Sequence, residues 1–231
     1  MRSHTLGLTL AVLTSLALTS VAQADTSIST LAGWDSSSSV QNWGIPNTAT
    51  YGQTITAPAT DNVLTGFTFE LNVPAGVPYT ADVYAWDGSK ATGTALYQSA
   101  PQTTAGPSSA FVPTTINTGG VALTSGQQYV LFLTTSGVQG ALANVGGSWG
   151  QTQSQDIYGG GSFVFLNNGN DPSQLTTQNW DQNYLGQGAD LAFSANFTSG
   201  AASAVPEPGS VALFFGLATA GAGLLRKRRN K

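Results

Sequence analysis

Apolar and polar residues alternate along much of the chain between residues 25 and 198. The alternation is clearest in four segments, where every second residue is apolar and the intervening positions include Thr, Glu and Ser. These segments contain Phe67, Phe69 and Leu71; Ala81, Val83 and Ala85; Val130 and Phe132; and Leu191, Phe193, Ala195 and Phe197. A period of two places apolar side chains on one face of an extended chain, so each segment predicts a strand with one buried face.

Weaker alternation in 51–56, 95–99, 111–117, 140–145 and 162–166 predicts five more strands. Turn-forming residues separate the segments, as at Asp87-Gly88 and Gly159-Gly160-Gly161. No apolar pattern with a period of 3.6 residues and no internal repeat interrupts this series. The sequence therefore predicts an all-β fold, a single jelly-roll-like β-sandwich over residues 25–198.

The N-terminal segment is different in character. After Arg2, an uncharged run rich in Leu, Ala, Val and Thr extends from Leu6 to Val21 and ends at Ala22-Gln23-Ala24. The run is shorter than the roughly 20 residues that a membrane span prefers, which argues against the alternative of an uncleaved anchor. Small residues at Ala22 and Ala24 are typical of a cleavage site, so residues 1–24 are predicted to be a secretory signal peptide that is removed after Ala24.

The C-terminal segment has three parts in order. Pro206-Glu207-Pro208 is followed by an uncharged stretch, 209–225, and then by a basic cluster, Arg226-Lys227-Arg228-Arg229. As a helix, the stretch would be about 25 Å long, close to the thickness of the hydrocarbon core, and the basic cluster would stop it on the cytoplasmic side. We therefore expect a hydrophobic transmembrane helix here, joined to the sandwich by a linker of small residues, 199–205.

This ending resembles the PEP-CTERM sorting signal of Gram-negative bacteria in its last 27 or so residues. The resemblance rests on Val205-Pro206-Glu207-Pro208, the apolar helix and the basic tail. It implies recognition by an exosortase-type enzyme in the inner membrane, then transfer to the cell surface or the extracellular matrix, in a family associated with exopolysaccharide and biofilm. A Gram-positive sortase signal would carry Leu-Pro-x-Thr-Gly instead, and a plain single-pass anchor, without processing, remains the alternative.

Charge is scarce and one-sided in the predicted exported part of the chain. Residues 25–205 contain ten acidic residues and one basic residue, Lys90, a net charge of about −9, although the whole chain carries −4. Such a domain repels phosphate backbones, so nucleic acid is excluded as a partner. Cysteine is absent, so packing alone must stabilise the domain.

The residue types available exclude most catalytic chemistry. Outside the predicted signal peptide the chain has no His and no Cys, so it cannot form a Ser-His-Asp triad, a Cys-His pair or a common zinc site. A glycosidase needs only two carboxylates, but no spacing singles out a pair. We therefore expect a protein that is not an enzyme and needs no cofactor. Structural calcium is a lesser possibility at the loops 167–171 and 181–183, which carry Asn and Asp oxygens.

Five tryptophans could either pack in the core or offer flat faces to sugar rings: Trp34, Trp43, Trp86, Trp149 and Trp180. Trp149 and Trp180 lie among Gly, Gln and Asn, so they are predicted to be the most exposed and the candidates for glycan contact. Together these features predict a non-enzymatic protein of the cell envelope or extracellular matrix. The alternative is a carbohydrate-binding module that recognises matrix polysaccharide.

Overall fold

The computed structural model describes residues 25–46, 48–106, 109–141, 147–153, 155–182 and 188–200. The predicted signal peptide, with Ala22 and Ala24, lies outside these residues. The predicted sorting signal lies outside them as well, with Pro206, Glu207, Pro208, Arg226, Lys227, Arg228 and Arg229. None of the helices in the described ranges has the length and hydropathy of a membrane span.

Two antiparallel sheets form a β-sandwich, which confirms the predicted fold class. The first sheet contains β1 (Thr26–Ser29), β2 (Ser39–Trp43), β4 (Val63–Asn72), β8 (Val112–Ala122), β10 (Gly147–Gly150) and β12 (Phe193–Thr198). The second contains β3 (Thr50–Thr56), β5 (Pro78–Trp86), β6 (Ala91–Gln98), β7 (Gln102–Thr103), β9 (Gln128–Thr134) and β11 (Phe163–Leu166). The chain crosses between the sheets at every step from β2 to β5 and from β8 to β12, as in jelly rolls.

In the first sheet the strands follow the order β1-β12-β4-β10-β2, with β8 also paired to β4. In the second sheet the order is β11-β3-β9-β5-β6, with β7 also paired to β5. Most neighbours are distant in sequence: β12 lies against β4, with Ala195 opposite Phe67. The fold is therefore held by long-range pairing rather than by local hairpins.

The main core lies between the two sheets and follows the predicted alternation. Phe67, Phe69 and Leu71 point inward from β4, while Thr68, Glu70 and Asn72 lie on the outer face. Facing them from the second sheet are Leu131 and Leu133 of β9, which are fully buried. Each such side chain contributes about 1.5–3 kcal/mol by leaving water, and this burial is the main stabilising force in a domain without disulfides.

A second, smaller core covers the outer face of the second sheet. It contains Trp86, Val130, Phe132, Val164, Leu166, Leu175 and Trp180. Leu175 belongs to a one-turn helix, α1 (Gln174–Thr177), and Trp180 follows that helix. Residues from Tyr129 to Thr134 of β9 are consequently buried on both faces, which explains why this strand is almost continuously apolar.

Some sequence predictions require correction. The predicted strand at 140–145 is wrong at Gly140 and Ala141, which lie in and just after a turn, and residues 142–145 lie outside the described residues. Strands β1, β2, β7 and β10 were not predicted. They are two to five residues long and rich in Ser, Thr, Gln or Gly, so their pairing partners, rather than an apolar alternation, define them.

Candidate functional site

An open groove of about 770 Å³ lies at the outer face of the first sheet. We call it the Trp34 groove. Its aromatic wall is formed by Trp34 and Phe111, and its polar side includes Glu70, Asn72 and Ser36. Its volume is within the range of small-molecule sites, and it combines partly exposed rings with polar groups.

The Trp34 ring is held by the loop that carries it. Asp35 accepts hydrogen bonds from the backbone N–H groups of Ser37 and Ser38 at 2.8 and 2.6 Å, and from the Ser38 hydroxyl at 2.5 Å. These donors keep the pKa of Asp35 well below its usual value. The indole Nε1 of Trp34 donates to the carbonyl of Ser38 at 2.8 Å, so the loop fixes the ring orientation.

The part of the Trp34 ring next to Nε1, at Cε2 and Cζ2, rests on a position that has no side chain. A Cβ atom added at Gly150 would lie 2.7 Å from Cζ2 of Trp34 and 2.8 Å from Cβ of Ala192. Because Gly150 in β10 has no side chain, the indole ring can lie directly on the sheet. Phe111 completes the wall, with its ring edge-on to Trp34 at 5.0 Å between centroids and an angle of 89°.

Glu70 is the carboxylate that the described residues contribute to this groove. It is half-buried on the outer face of β4, and burial raises the pKa of its carboxyl above the usual value. Among the described residues its side chain has no hydrogen bond or ion pair. It is therefore ready to accept hydrogen bonds from a ligand, and the Asn72 amide beside it can both donate and accept.

The predicted exposure of Trp149 and Trp180 is wrong. Trp149 in β10 is 0% exposed and packs against Trp43, Tyr51 and Phe69, with ring centroids 4.9 to 5.6 Å apart. Trp180 is 4% exposed and donates its indole N–H to the carbonyl of Leu175 at 2.9 Å. Gln178 and Asn179 beside Trp180 are exposed and Gln151 near Trp149 is buried, whereas both tryptophan side chains point into the two cores.

A second groove of about 590 Å³ runs beside β11 and the segment that carries Trp180. It is lined mainly by amides and one carboxylate, including Asn167, Gln178, Asn179 and Asp181. The Trp180 ring is buried beneath it and Phe165 is its partly exposed aromatic residue. The Trp34 groove, with two rings set edge to face, is therefore the better candidate for binding a sugar ring.

Side-chain oxygens of the first predicted calcium loop accept hydrogen bonds from neighbouring protein groups. Asp171 accepts hydrogen bonds from the N–H and hydroxyl of Ser173 and from the Gln174 amide at 2.6 to 3.0 Å, and Asn170 accepts one from the backbone N–H of Gly137. In the second loop, Asn183 lies outside the described residues. Within the described ranges, no cluster of three or more His, Cys, Asp or Glu side chains could hold a metal ion.

Two fully buried carboxylates were not singled out by the sequence. Burial raises the pKa of both Asp82 and Asp190 to about 6. Asp190 accepts hydrogen bonds from the Gln53 amide at 2.7 Å and from the backbone N–H groups of Ile157 and Tyr158 at 2.9 and 2.8 Å. Asp82 accepts hydrogen bonds from Thr80 and Gln98. Both are 0% exposed, so they tie segments together instead of facing a ligand.

Comparison with known protein families gives no matching family model, and no curated protein matches the sequence. Among solved structures, the chain is similar to the cysteine protease and lectin-like domains of Cwp84, a surface layer associated protein of Clostridium difficile. The TM-score is 0.43 and the sequence identity 11%, over 71% of this chain and 36% of the other. The chain thus spans about a third of that protein's length, and so low a similarity carries no functional conclusion.

Proposed function

We propose that this protein is an exported, non-enzymatic protein of the cell envelope or extracellular matrix whose sandwich domain binds carbohydrate in the Trp34 groove. The observation that carries the binding proposal is the arrangement of the groove itself. The Trp34 ring is held on Gly150 and Ala192 beside Phe111, next to the Asn72 amide and the Glu70 carboxylate, which has no partner among the described residues.

The chemistry of a sugar matches these groups. The axial C–H face of a pyranose is apolar and packs on an aromatic face, while its equatorial hydroxyls need hydrogen-bond partners. Trp34 supplies the aromatic face, and Glu70 and Asn72 supply acceptors and donors at the side of the groove. The proposed site therefore binds through a rigid ring and a few polar groups, the usual composition of a small-ligand site.

Electrostatics favours a neutral or amine-bearing polysaccharide over an acidic one. Glu70 lines the groove, and the exported part of the chain carries ten acidic residues against one basic residue. A polymer rich in uronate or phosphate would be repelled both at the site and over the whole surface. Matrix polysaccharide without net negative charge is accordingly the proposed partner.

Export and sorting are part of the same proposal, and they are supported by residues at the two ends of the sequence. Ala22 and Ala24 provide the cleavage site of a signal peptide. Pro206, Glu207 and Pro208 resemble the motif on which an exosortase-type enzyme acts. The apolar helix and basic tail would hold the protein in the inner membrane until processing, after which it reaches the cell surface or matrix.

Replacing Trp34 with alanine is expected to weaken binding of a neutral oligosaccharide by about 30-fold, the loss typical of an aromatic anchor at the centre of a site. A glycan array of neutral, amine-bearing and uronate oligomers identifies the ligand, and calorimetry then measures the dissociation constant. Leu96→Ala is the matched control, because Leu96 is 44% exposed in β6 of the other sheet and its truncation also removes exposed apolar surface.

Phe111→Ala should weaken the same interaction less than Trp34→Ala, since Phe111 supports the ring edge-on. The binding proposal fails if the wild-type protein binds no member of the array at millimolar ligand. It also fails if Trp34→Ala and Leu96→Ala bind equally well, because the site would then lie elsewhere.

Sorting has a separate test in the native host. Intact mass and cell fractionation are compared for the wild type and for Pro206→Ala and Glu207→Ala. We expect the wild type to lose Arg226–Lys231 and to leave the membrane, and both variants to remain membrane-bound with the basic tail. Retention of the tail in all three proteins would show a simple membrane anchor and would refute exosortase-type processing.

A further inference from the structure

Asp61 is a buried acidic residue that the proposed binding site does not use. It lies two residues before β4 and is 2% exposed. Its Oδ2 accepts a hydrogen bond from the hydroxyl of Thr26 at 2.5 Å, while its Oδ1 is buried and has no hydrogen-bond partner among the described residues. A buried carboxylate oxygen without a donor is strongly unfavourable, so a partner for Oδ1 is needed.

No basic side chain is free to supply that partner. Between residues 25 and 205 the only Lys, Arg or His is Lys90. Its ammonium group already binds Asp87, at 2.9 Å from Oδ2. The exported part of the chain can provide one other cation, which is the α-ammonium group at its own N-terminus.

That ammonium would form next to Asp61. Cleavage after Ala24 makes Asp25 the first residue, and Asp25 directly precedes Thr26, whose hydroxyl holds the other oxygen of Asp61. The nitrogen of Asp25 and Oγ1 of Thr26 are six bonds apart, so they lie within roughly 7 Å of each other in any conformation. Pairing of Thr26 with Phe197 in β12 fixes the start of β1 beside this carboxylate.

We infer that the Asp61 carboxylate binds the α-ammonium group of Asp25, which signal-peptide cleavage creates. The ammonium donates a charge-assisted hydrogen bond to Oδ1 while Thr26 keeps Oδ2. This inference rests on the export proposed above. It makes the processed sandwich more stable than the precursor, in which the same nitrogen is an uncharged amide, and so couples removal of the leader to completion of the fold.

The test expresses the complete sequence in its host and uses the exported, processed protein. Mass spectrometry identifies the N-terminus of that protein. Inserting Gly-Ser between Asp25 and Thr26 keeps the cleavage site and the charge but moves the ammonium about 7 Å along the chain. We expect this insertion to lower the thermal midpoint by about 5 °C, the scale of one charged hydrogen bond in a domain of this size. It should also speed acylation of the α-amine by a mild reagent several-fold, because the amine is no longer paired.

The same insertion in an Asp61→Asn background completes a double-mutant cycle. There we expect it to leave the midpoint and the amine reactivity almost unchanged, because the carboxylate it acts through is gone. Equal effects of the insertion in both backgrounds would overturn this inference alone. A mature N-terminus other than Asp25 would overturn the inference together with the proposed cleavage site, while glycan binding would be unaffected by either result.

Discussion

Replacing Trp149 with alanine is expected to lower the free energy of unfolding by about 4 kcal/mol, a large part of the 5–15 kcal/mol typical of a whole domain. Trp149 is fully buried and contacts three other aromatic rings, those of Trp43, Tyr51 and Phe69. Alanine removes these contacts and leaves a cavity that two paired sheets cannot close. Urea unfolding followed by far-ultraviolet circular dichroism measures the loss without depending on tryptophan fluorescence.

Two controls show whether the loss of stability is specific to the buried position of Trp149 or follows the removal of any tryptophan. Trp34→Ala should destabilise by about 1–2 kcal/mol, since Trp34 is partly exposed, and should reduce glycan binding instead. Trp149→Phe should lose less than half as much stability as Trp149→Ala. Nε1 of Trp149 is buried with no hydrogen-bond partner in the described part of the chain, and phenylalanine removes that group. Equal losses for Trp34→Ala and Trp149→Ala would contradict the assignment of Trp149 to the core.

Gly161→Ala is expected to destabilise the protein by about 3 kcal/mol, as severe overpacking does. A Cβ atom at this position would lie 1.8 Å from the carbonyl oxygen of Thr54, a backbone atom that cannot move aside. Making room would separate β11 from β3, where Ser162 and Thr54 exchange hydrogen bonds at 2.8 and 2.9 Å. Chemical denaturation measures the change.

Gly159→Ala is the matched control in the same glycine run. A Cβ atom there would have no neighbour within 4 Å, so this variant should stay within about 0.5 kcal/mol of the wild type. If both variants lose the same stability, the glycine run matters for its flexibility and not for the close approach of residue 161 to β3.

The alternation of apolar and polar residues predicted strands best where a strand has one face in the core and the other in solvent. In β4 the pattern predicts that Phe67, Phe69 and Leu71 face the core. It predicts that Thr68 and Glu70 face outward, and the structure places all five side chains on the predicted faces. The same rule missed β10, whose four residues are Gly147, Ser148, Trp149 and Gly150. That strand exists because β2 and β4 pair with it on either side, and pairing between distant segments leaves no local pattern.

Exposure of the tryptophans could not be predicted from their sequence neighbours. Trp180 follows a polar, turn-rich segment, yet that segment folds over the second sheet and buries the ring against Phe132 and Trp86. Nothing in the sequence favoured Trp34 over Trp149 and Trp180, the two tryptophans predicted to be exposed. The position of Trp34 in a groove depends on Gly150 beneath it and Phe111 beside it, which are 116 and 77 residues away along the chain.

By itself, the sequence determined the class of the fold, the scarcity of charge and the absence of His and Cys outside the predicted signal peptide. Periodicity and composition are properties of the chain that do not depend on how it folds. The sequence also predicts the two terminal signals, which act as linear motifs. Only the tertiary structure decided which tryptophan faces solvent, where the carboxylates lie and which groove has an aromatic wall. Those features arise where residues far apart in sequence meet across paired strands, and the burial of a side chain is set by what packs against it.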